Sequence, residues 1–137
     1  MIKRISHIGV VVNDIDKCLE QFQKTLGLKP SVVKYAFEGK LRIAFIPVGD
    51  GEIELIQPLD QTLPLAKFLQ TNGPGTHHIA LATDDIESQV DSMRCNGAVF
   101  AEKSPMIGAH GVKIIFTKPE TTAGLTFEIC ETSKEDH

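Results

Sequence analysis

Two histidines and two glutamates in this chain have side chains that commonly bind divalent metal ions, and they recur in matched positions. His7 opens the segment HIGVVVNDID (7–16), and His78 opens the related segment HIALATDDIE (78–87), 71 positions later. Glu54 and Glu128 each lie between apolar residues in strand-like runs, IEL and FEI. A carboxylate in the middle of a half-buried strand is disfavoured unless it has a partner. Its recurrence at matched positions indicates a function.

The repeat predicts that one imidazole and one carboxylate from each half meet around a pseudo-two-fold axis. The predicted ligands of this single divalent cation are His7, Glu54, His78 and Glu128. Two neutral imidazoles and two carboxylates balance a 2+ charge, and this mixed ligation suits Zn, Co, Ni, Mn or Fe(II) without separating them. Gln57 and His77 are rival ligands. Strand alternation, however, turns Gln57 away from Glu54 and His77 away from His78.

The elements that must position these residues follow from the same repeat. Each repeated segment indicates a strand, an acidic turn and the start of a helix, and three strand-like runs follow. Asp14 and Asp85 are the predicted N-caps, and Gly27 and Gly97 are the predicted helix ends. The runs after the helices span 31–35, 42–48 and 52–57 in the first half and 99–102, 112–117 and 125–131 in the second. The sequence therefore predicts an α+β fold of paired βαβββ modules.

The length of 137 residues suits one domain built from two such modules. We expect a first module over 1–59, a linker over 60–75 that is rich in Pro, Gly, Asn and Thr, a second module over 76–132 and a polar tail over 133–137. The three cysteines, Cys18, Cys95 and Cys130, are far apart and form no CxxC pair, so we expect reduced thiols.

Composition limits the partners. The chain has 14 Lys and Arg against 18 Asp and Glu, a formal net charge of −4, and it has neither a basic block nor a tryptophan. This balance argues against a nucleic-acid partner. No apolar run approaches the roughly 20 residues of a membrane helix, and the sequence shows no signal peptide, so we expect a cytoplasmic protein without a membrane partner.

These features resemble the vicinal oxygen chelate superfamily, which includes glyoxalases, bleomycin resistance proteins and dioxygenases, and most of all its methylmalonyl-CoA epimerase family. The segments that carry the resemblance are ISHIG (5–9), PVG (47–49), IELIQP (53–58), GTHHIA (75–80), IGAHG (107–111) and LTFEI (125–129). The resemblance implies a metal-containing cup, the same four metal ligands, an acyl-CoA substrate and a homodimer. The implied reaction interconverts (R)- and (S)-methylmalonyl-CoA through a metal-stabilised enolate.

Epimerisation needs bases on both faces of the planar intermediate. We expect Glu128 to be one base and Glu54 to be the leading candidate for the other. In some family members a non-ligand Glu on the third strand is the second base, and the matching position here is Arg42. Glu38, beside Gly39, is a possible substitute. Arg42 could instead bind a substrate carboxylate or phosphate, since its planar fork suits both.

The segment 108–111 is predicted to be a loop that approaches the ligand, because two glycines bracket it. His110 and Gly111 are its candidate substrate-binding residues. For phosphate contacts of coenzyme A the candidates are Lys34, Lys40, Lys103, Lys113 and Lys118. The alternative functions are a glyoxalase I type lactoylglutathione lyase, an extradiol dioxygenase and a non-catalytic binding protein of the resistance type.

Overall fold

The computed structural model describes residues 1–132 of the chain, and the predicted tail over 133–137 lies outside the described residues. Two βαβββ modules follow each other along the chain, with a helix between them. The elements are β1 (Ile2–Val11), α1 (Ile15–Leu26), β2 (Val32–Ala36), β3 (Leu41–Val48), β4 (Gly51–Pro58), α2 (Pro64–Asn72), β5 (Gly75–Thr83), α3 (Ile86–Cys95), β6 (Met106–Ile107), β7 (Lys113–Phe116), a 3-10 turn (Pro119–Thr121) and β8 (Phe127–Glu131). The predicted α+β class and the paired βαβββ modules are confirmed.

The chain forms two compact units. One contains residues 7–77, and we call it the N-terminal unit. In it the strand order is β2-β3-β4-β1, with β1 parallel to β4 and the other pairs antiparallel. The other contains Met1–Ser6 together with residues 78–132, and we call it the C-terminal unit. Its order is β5-β8-β7-β6, with β5 parallel to β8.

The helices begin where their capping residues predict. The Asp14 side chain accepts a hydrogen bond from the backbone N–H of Lys17 at 3.2 Å, and Asp85 accepts one from Ser88 at 3.1 Å. These bonds satisfy amide groups that a helix leaves unpaired in its first turn. Gly27 ends α1 in the left-handed conformation, with φ of 69°.

In each unit the helix covers one face of the sheet. Ile15 of α1 packs with Ala44, Ile46 and Leu55, all of which are buried. In the C-terminal unit the buried residues Ile86, Val90, Phe100, Ile115 and Ile129 form the equivalent core. Because successive strand residues point to opposite faces, the alternate residues of the same strands line the other face. That second face carries the candidate site.

One predicted strand is wrong. Residues 99–102 form no strand, and only an isolated bridge between Phe100 and Thr117 lies there. The first strand after α3 is instead the two-residue β6, which pairs with β7. The apolar residues around 99–102 reflect core packing, since Phe100 is buried against α3. The segment 60–75, predicted as a linker, contains α2. No helix within residues 1–132 has the length and apolar character needed to cross a membrane.

Candidate functional site

The N-terminal unit holds His7 and Glu54 side by side. In the pairing of β1 with β4, Gly9 lies opposite Glu54, and His7 is two residues before Gly9 on the same face. The Nε2 atom of His7 lies 3.2 Å from Oε2 of Glu54. The two residues are only 2% and 6% exposed. Burial of an ionisable carboxylate is costly without a partner, so this pairing with an imidazole makes His7 and Glu54 a candidate functional pair.

The C-terminal unit repeats this arrangement with His78 and Glu128. Ala80 lies opposite Glu128 in the pairing of β5 with β8, as Gly9 lies opposite Glu54. His78 Nε2 lies 3.8 Å from Glu128 Oε1. Both residues are buried, at 4% and 5% exposed. Each unit therefore carries one His–Glu pair, and we call the face that bears it the His–Glu face of that unit.

A phenylalanine borders each glutamate on the third strand of its module. Phe45 lies directly opposite Glu54, and Phe116 lies directly opposite Glu128. The rings of Phe116 and His78 meet edge to face, with 5.3 Å between their centroids. Sequence reasoning missed both phenylalanines. The available signal was their separation of 71 positions, which is the separation of the two histidines.

The rival ligands lie elsewhere. The side-chain oxygen of Gln57 accepts a hydrogen bond from the backbone N–H of Ile15 at 3.0 Å, which places it on the helix-covered face as alternation predicts. Glu131 makes the matching bond to Ile86 N–H at 3.1 Å. Each acceptor is three residues beyond its unit's glutamate and ties the first turn of the helix to that strand. His77 contacts the Phe68 ring edge to face at 5.0 Å.

Arg42 lies on the helix-covered face of β3. Its Nη1 is 2.9 Å from Oδ2 of Asp16 on α1. The guanidinium lowers the pKa of the Asp16 carboxyl by this hydrogen bond, and the same bond raises the pKa of Arg42. This placement argues against the predicted role of Arg42 in binding a substrate carboxylate or phosphate near Glu54, because the two side chains project from opposite faces of the sheet.

The third strand supplies hydrocarbon, not a base, to the His–Glu face. Leu41, Ile43 and Phe45 are the residues of β3 that share this face near Glu54, and all are buried. None of these three residues is a carboxylate, and Arg42, which the sequence matched to the third-strand base, projects to the other face of the sheet. Glu38 lies in the exposed turn after β2, with φ of 58°.

The loop of the C-terminal unit at 108–111 closes the hairpin between β6 and β7. Gly108 N–H donates to Val112 O at 2.9 Å, and Gly111 N–H donates to Gly108 O at 3.0 Å. Gly111 has φ of 77°, a conformation that suits glycine. His110 is exposed in this turn. A Cβ on Gly108 would lie 2.6 Å from Ile114 Cδ1, so a larger residue there would require the Ile114 side chain to shift.

The donor set fits a divalent cation. Imidazole nitrogen and carboxylate oxygen are ligands for first-row transition metals, and each buried His–Glu pair provides one of each. A buried carboxylate near a reacting carbon can also accept a proton. The arrangement therefore suits chemistry in which a metal stabilises negative charge while a carboxylate moves a proton.

Comparison with known proteins identifies the family. A model of the Glyoxalase/Bleomycin resistance protein/Dioxygenase superfamily matches residues 6–116. The chain belongs to this superfamily. Its superfamily relatives include the ethylmalonyl-CoA/methylmalonyl-CoA epimerase of Cereibacter sphaeroides, which is 32% identical over 94% of this chain and 98% of the relative.

Other superfamily members extend the comparison. A variant of Streptomyces coelicolor methylmalonyl-CoA epimerase, solved in complex with 2-nitronate-propionyl-CoA, matches with a TM-score of 0.89 and 26% identity, covering 98% of this chain and 97% of that one. A probable lactoylglutathione lyase of Synechocystis is 31% identical over 94% of this chain and 95% of the relative. The similar proteins thus carry the names of two activities, an epimerase and a lactoylglutathione lyase.

Proposed function

We propose that this protein is a metal-dependent epimerase that interconverts (R)- and (S)-methylmalonyl-CoA. The observation that carries the proposal is the pair of buried His–Glu sites, one on each module, in a chain similar over nearly its whole length to an epimerase of this class. The relatives named methylmalonyl-CoA epimerase support an enzyme of the isomerase type, and the geometry within each unit supplies the residue types that the reaction needs.

In this proposal His7, Glu54, His78 and Glu128 together hold one divalent cation. Support comes from the repeat, which puts each His–Glu pair at the same place in its module, and from the burial of all four residues. Co, Zn, Ni and Mn all suit two imidazoles and two carboxylates. A bound cation would supply Lewis acidity that reduces the cost of negative charge developing on the thioester oxygen.

The proton transfers fall to the two glutamates. Glu128 would accept the α proton of the thioester while the C–H electron pair moves toward the carbonyl. Glu54 would return a proton to the other face, and the roles reverse for the opposite epimer. Support comes from the placement of β3, where the buried apolar residues Ile43 and Phe45 leave no carboxylate beside Glu54 in the described strand. Glu52 also projects to this face but is only partly buried, whereas Glu54 is buried beside His7, so we assign the two bases to the ligand glutamates.

His110 and Gly111 remain the proposed substrate contacts from the C-terminal unit, because they form the exposed turn between β6 and β7. Gly111 provides a turn geometry that a residue with a Cβ would strain. Arg42 is not part of the proposal, since it pairs with Asp16 on the other side of β3.

A glyoxalase I type lactoylglutathione lyase is the second candidate. It is favoured by the similar Synechocystis relative and by the apolar β3, which lacks the third-strand glutamate that some epimerases of the family use. A lyase of this type moves a proton between neighbouring carbons, and two carboxylates and a metal also suffice for that reaction.

Turnover of two substrates by the same preparation distinguishes the epimerase from the lyase. The metal-loaded protein is given racemic methylmalonyl-CoA coupled to a stereospecific mutase, and separately the hemithioacetal of methylglyoxal and glutathione. We expect turnover of the thioester to exceed turnover of the hemithioacetal by at least a hundredfold in kcat/KM. The reverse preference would establish the lyase, and the absence of both activities would contradict the enzyme proposal. The homodimer and the cytoplasmic location stay predictions, and light scattering on the purified protein tests the first.

A further inference from the structure

Lys34 stands on the His–Glu face of the N-terminal unit, two strands from Glu54. On β2 it is paired with Ile43 of β3, and Phe45 of β3 is paired with Glu54 of β4. Paired residues on neighbouring strands project to the same face of a sheet. A path across this face therefore runs from the buried carboxylate of Glu54, over an apolar strip, to the ammonium group of Lys34.

The Lys34 ammonium reaches inward over the sheet. Its Nζ atom lies 5.5 Å from the centroid of the Phe45 ring, within the range of a cation–π interaction. Since β2 is the outermost strand of this unit, the side chain could have extended past the sheet edge. It leans instead toward the residue that is the direct neighbour of Glu54.

Lys34 is itself exposed, so an anion in solution can reach its ammonium group, and hydrocarbon lies on one side of it. Leu41, Ile43 and Phe45 form the strip beside it, and all are under 10% exposed. Charges attract more strongly beside hydrocarbon than in open water, because the local dielectric is lower. Among the strand residues on this face of the N-terminal unit, all of which the structure describes, Lys34 is the one Lys or Arg.

The second module has no matching cation. Met106 of β6 is paired with Ile114, as Lys34 is paired with Ile43, so Met106 occupies the equivalent position. The two modules thus share the His–Glu pair, the bordering phenylalanine and the apolar strip, but they differ in this charge. Because the modules match except for the lysine in the first one, the site suits a substrate with an anionic group at one end.

We infer that Lys34 binds an oxyanion of the substrate and so orients the thioester on the His–Glu face of the N-terminal unit. The inference rests on the proposed function. The strands that carry Lys34 and Glu54 are two strand spacings apart, which is about 10 Å. We therefore expect the bound anion to lie within about 10 Å of the carbon that exchanges its proton. A carboxylate on the acyl group and a phosphate of coenzyme A share this chemistry. The sequence offers Lys34 as one of five candidates for phosphate contacts and Arg42 as the candidate for a substrate carboxylate or phosphate, and the inference selects Lys34.

Binding measurements with matched variants test the inference. Dissociation constants are measured by calorimetry on the metal-loaded protein for methylmalonyl-CoA, for propionyl-CoA, which lacks the acyl carboxylate, and for methylmalonyl-pantetheine, which lacks the phosphates. Lys34→Met copies the residue of the other module. Lys24→Met is the control, because Lys24 is an exposed residue of α1 paired with Glu20 at 3.2 Å, on the helix-covered side.

We expect Lys34→Met to weaken methylmalonyl-CoA binding about tenfold, whereas Lys34→Arg and Lys24→Met stay within twofold of wild type. If Lys34 binds the acyl carboxylate, Lys34→Met weakens the pantetheine ester and spares propionyl-CoA. If it binds phosphate, the pattern reverses. An unchanged constant for methylmalonyl-CoA in Lys34→Met, or an equal loss in Lys24→Met, would overturn the inference. Failure of the proposed function would look different, because wild type would bind the thioester without exchanging its α proton.

Discussion

Phe116 lies directly opposite Glu128 on neighbouring strands, and its ring meets the His78 imidazole edge to face at 5.3 Å. One aromatic side chain thus borders both members of the His–Glu pair in the C-terminal unit. Edge-to-face contacts are worth about 1 kcal/mol beyond the burial of the ring. Phe116 therefore restrains the orientation of the imidazole that is proposed to ligate the metal.

Replacement of this ring tests its effect on metal binding. Phe116→Leu keeps most of the apolar volume and removes the ring contact, so His78 gains rotational freedom. We expect metal affinity to fall about tenfold, the lower end of the range for residues that orient a ligand. Calorimetric titration with Zn²⁺ and Co²⁺ measures the affinity. Phe100→Leu is the control, since Phe100 packs in the core on the helix-covered side; it should lower stability and leave affinity within twofold. Equal affinity losses in both variants would show that Phe116 acts only through stability.

Arg42→Gln should leave catalysis nearly unchanged. The guanidinium bonds to Asp16 on the side of β3 away from Glu54. We expect kcat and KM for methylmalonyl-CoA to stay within twofold of wild type. Loss of the cation should also raise the pKa of the Asp16 carboxyl, which the bond lowers in the native protein. Steady-state kinetics and an NMR titration of Asp16 check the two parts. A tenfold rise in KM for Arg42→Gln would show instead that Arg42 contributes to substrate binding.

Gln57→Leu should lower the free energy of unfolding by about 1 to 3 kcal/mol, because the Ile15 amide loses the acceptor that Gln57 provides in a partly buried setting. Gln57→Glu should be nearly neutral at pH 7, since Glu131 performs the same task for Ile86 in the other unit. Urea unfolding monitored by circular dichroism measures both. If Gln57→Glu is as damaging as Gln57→Leu, the two acceptors are not equivalent.

Gly108→Ala should destabilise the hairpin between β6 and β7. The added Cβ would meet Ile114 at 2.6 Å, and overpacking of this kind costs about 1 to 3 kcal/mol. Shortening the obstructing side chain should relieve the strain, so Ile114→Val should cost less in the Gly108→Ala background than alone. A double-mutant cycle on thermal unfolding measures the coupling. Additive effects would mean that the two side chains do not interfere.

The sequence predicts the symmetric features of this protein well. The repeat at 71 positions and the caps Asp14 and Asp85 define two βαβββ modules, because periodicity and capping are local signals. The β3 run RIAFIPV is apolar at nearly every position after Arg42, so alternation does not tell which residues face Glu54. That choice depends on the register with β4, which pairs Phe45 with Glu54 and sends Arg42 to the helix.

Short elements are the other source of error. The two-residue strand β6 leaves no periodic signal, whereas the apolar run at 98–100 does, so the sequence predicts the strand at 99–102 and not at Met106–Ile107. Because of this error, the sequence does not show that Met106 occupies the position in the second module that is equivalent to Lys34. Only the pairing of β6 with β7 shows which residue of the second module corresponds to Lys34.

Incorporation of deuterium from heavy water into the α carbon of methylmalonyl-CoA tests the central claim most directly. The account predicts that the metal-loaded protein exchanges the α hydrogen in both epimers and that a chelator abolishes the exchange. Glu128→Gln should lower exchange by at least a thousandfold, and Glu54→Gln should lower it while bound metal, measured by elemental analysis, is retained. Undiminished exchange in Glu128→Gln, or no exchange by metal-loaded wild type, would contradict the account.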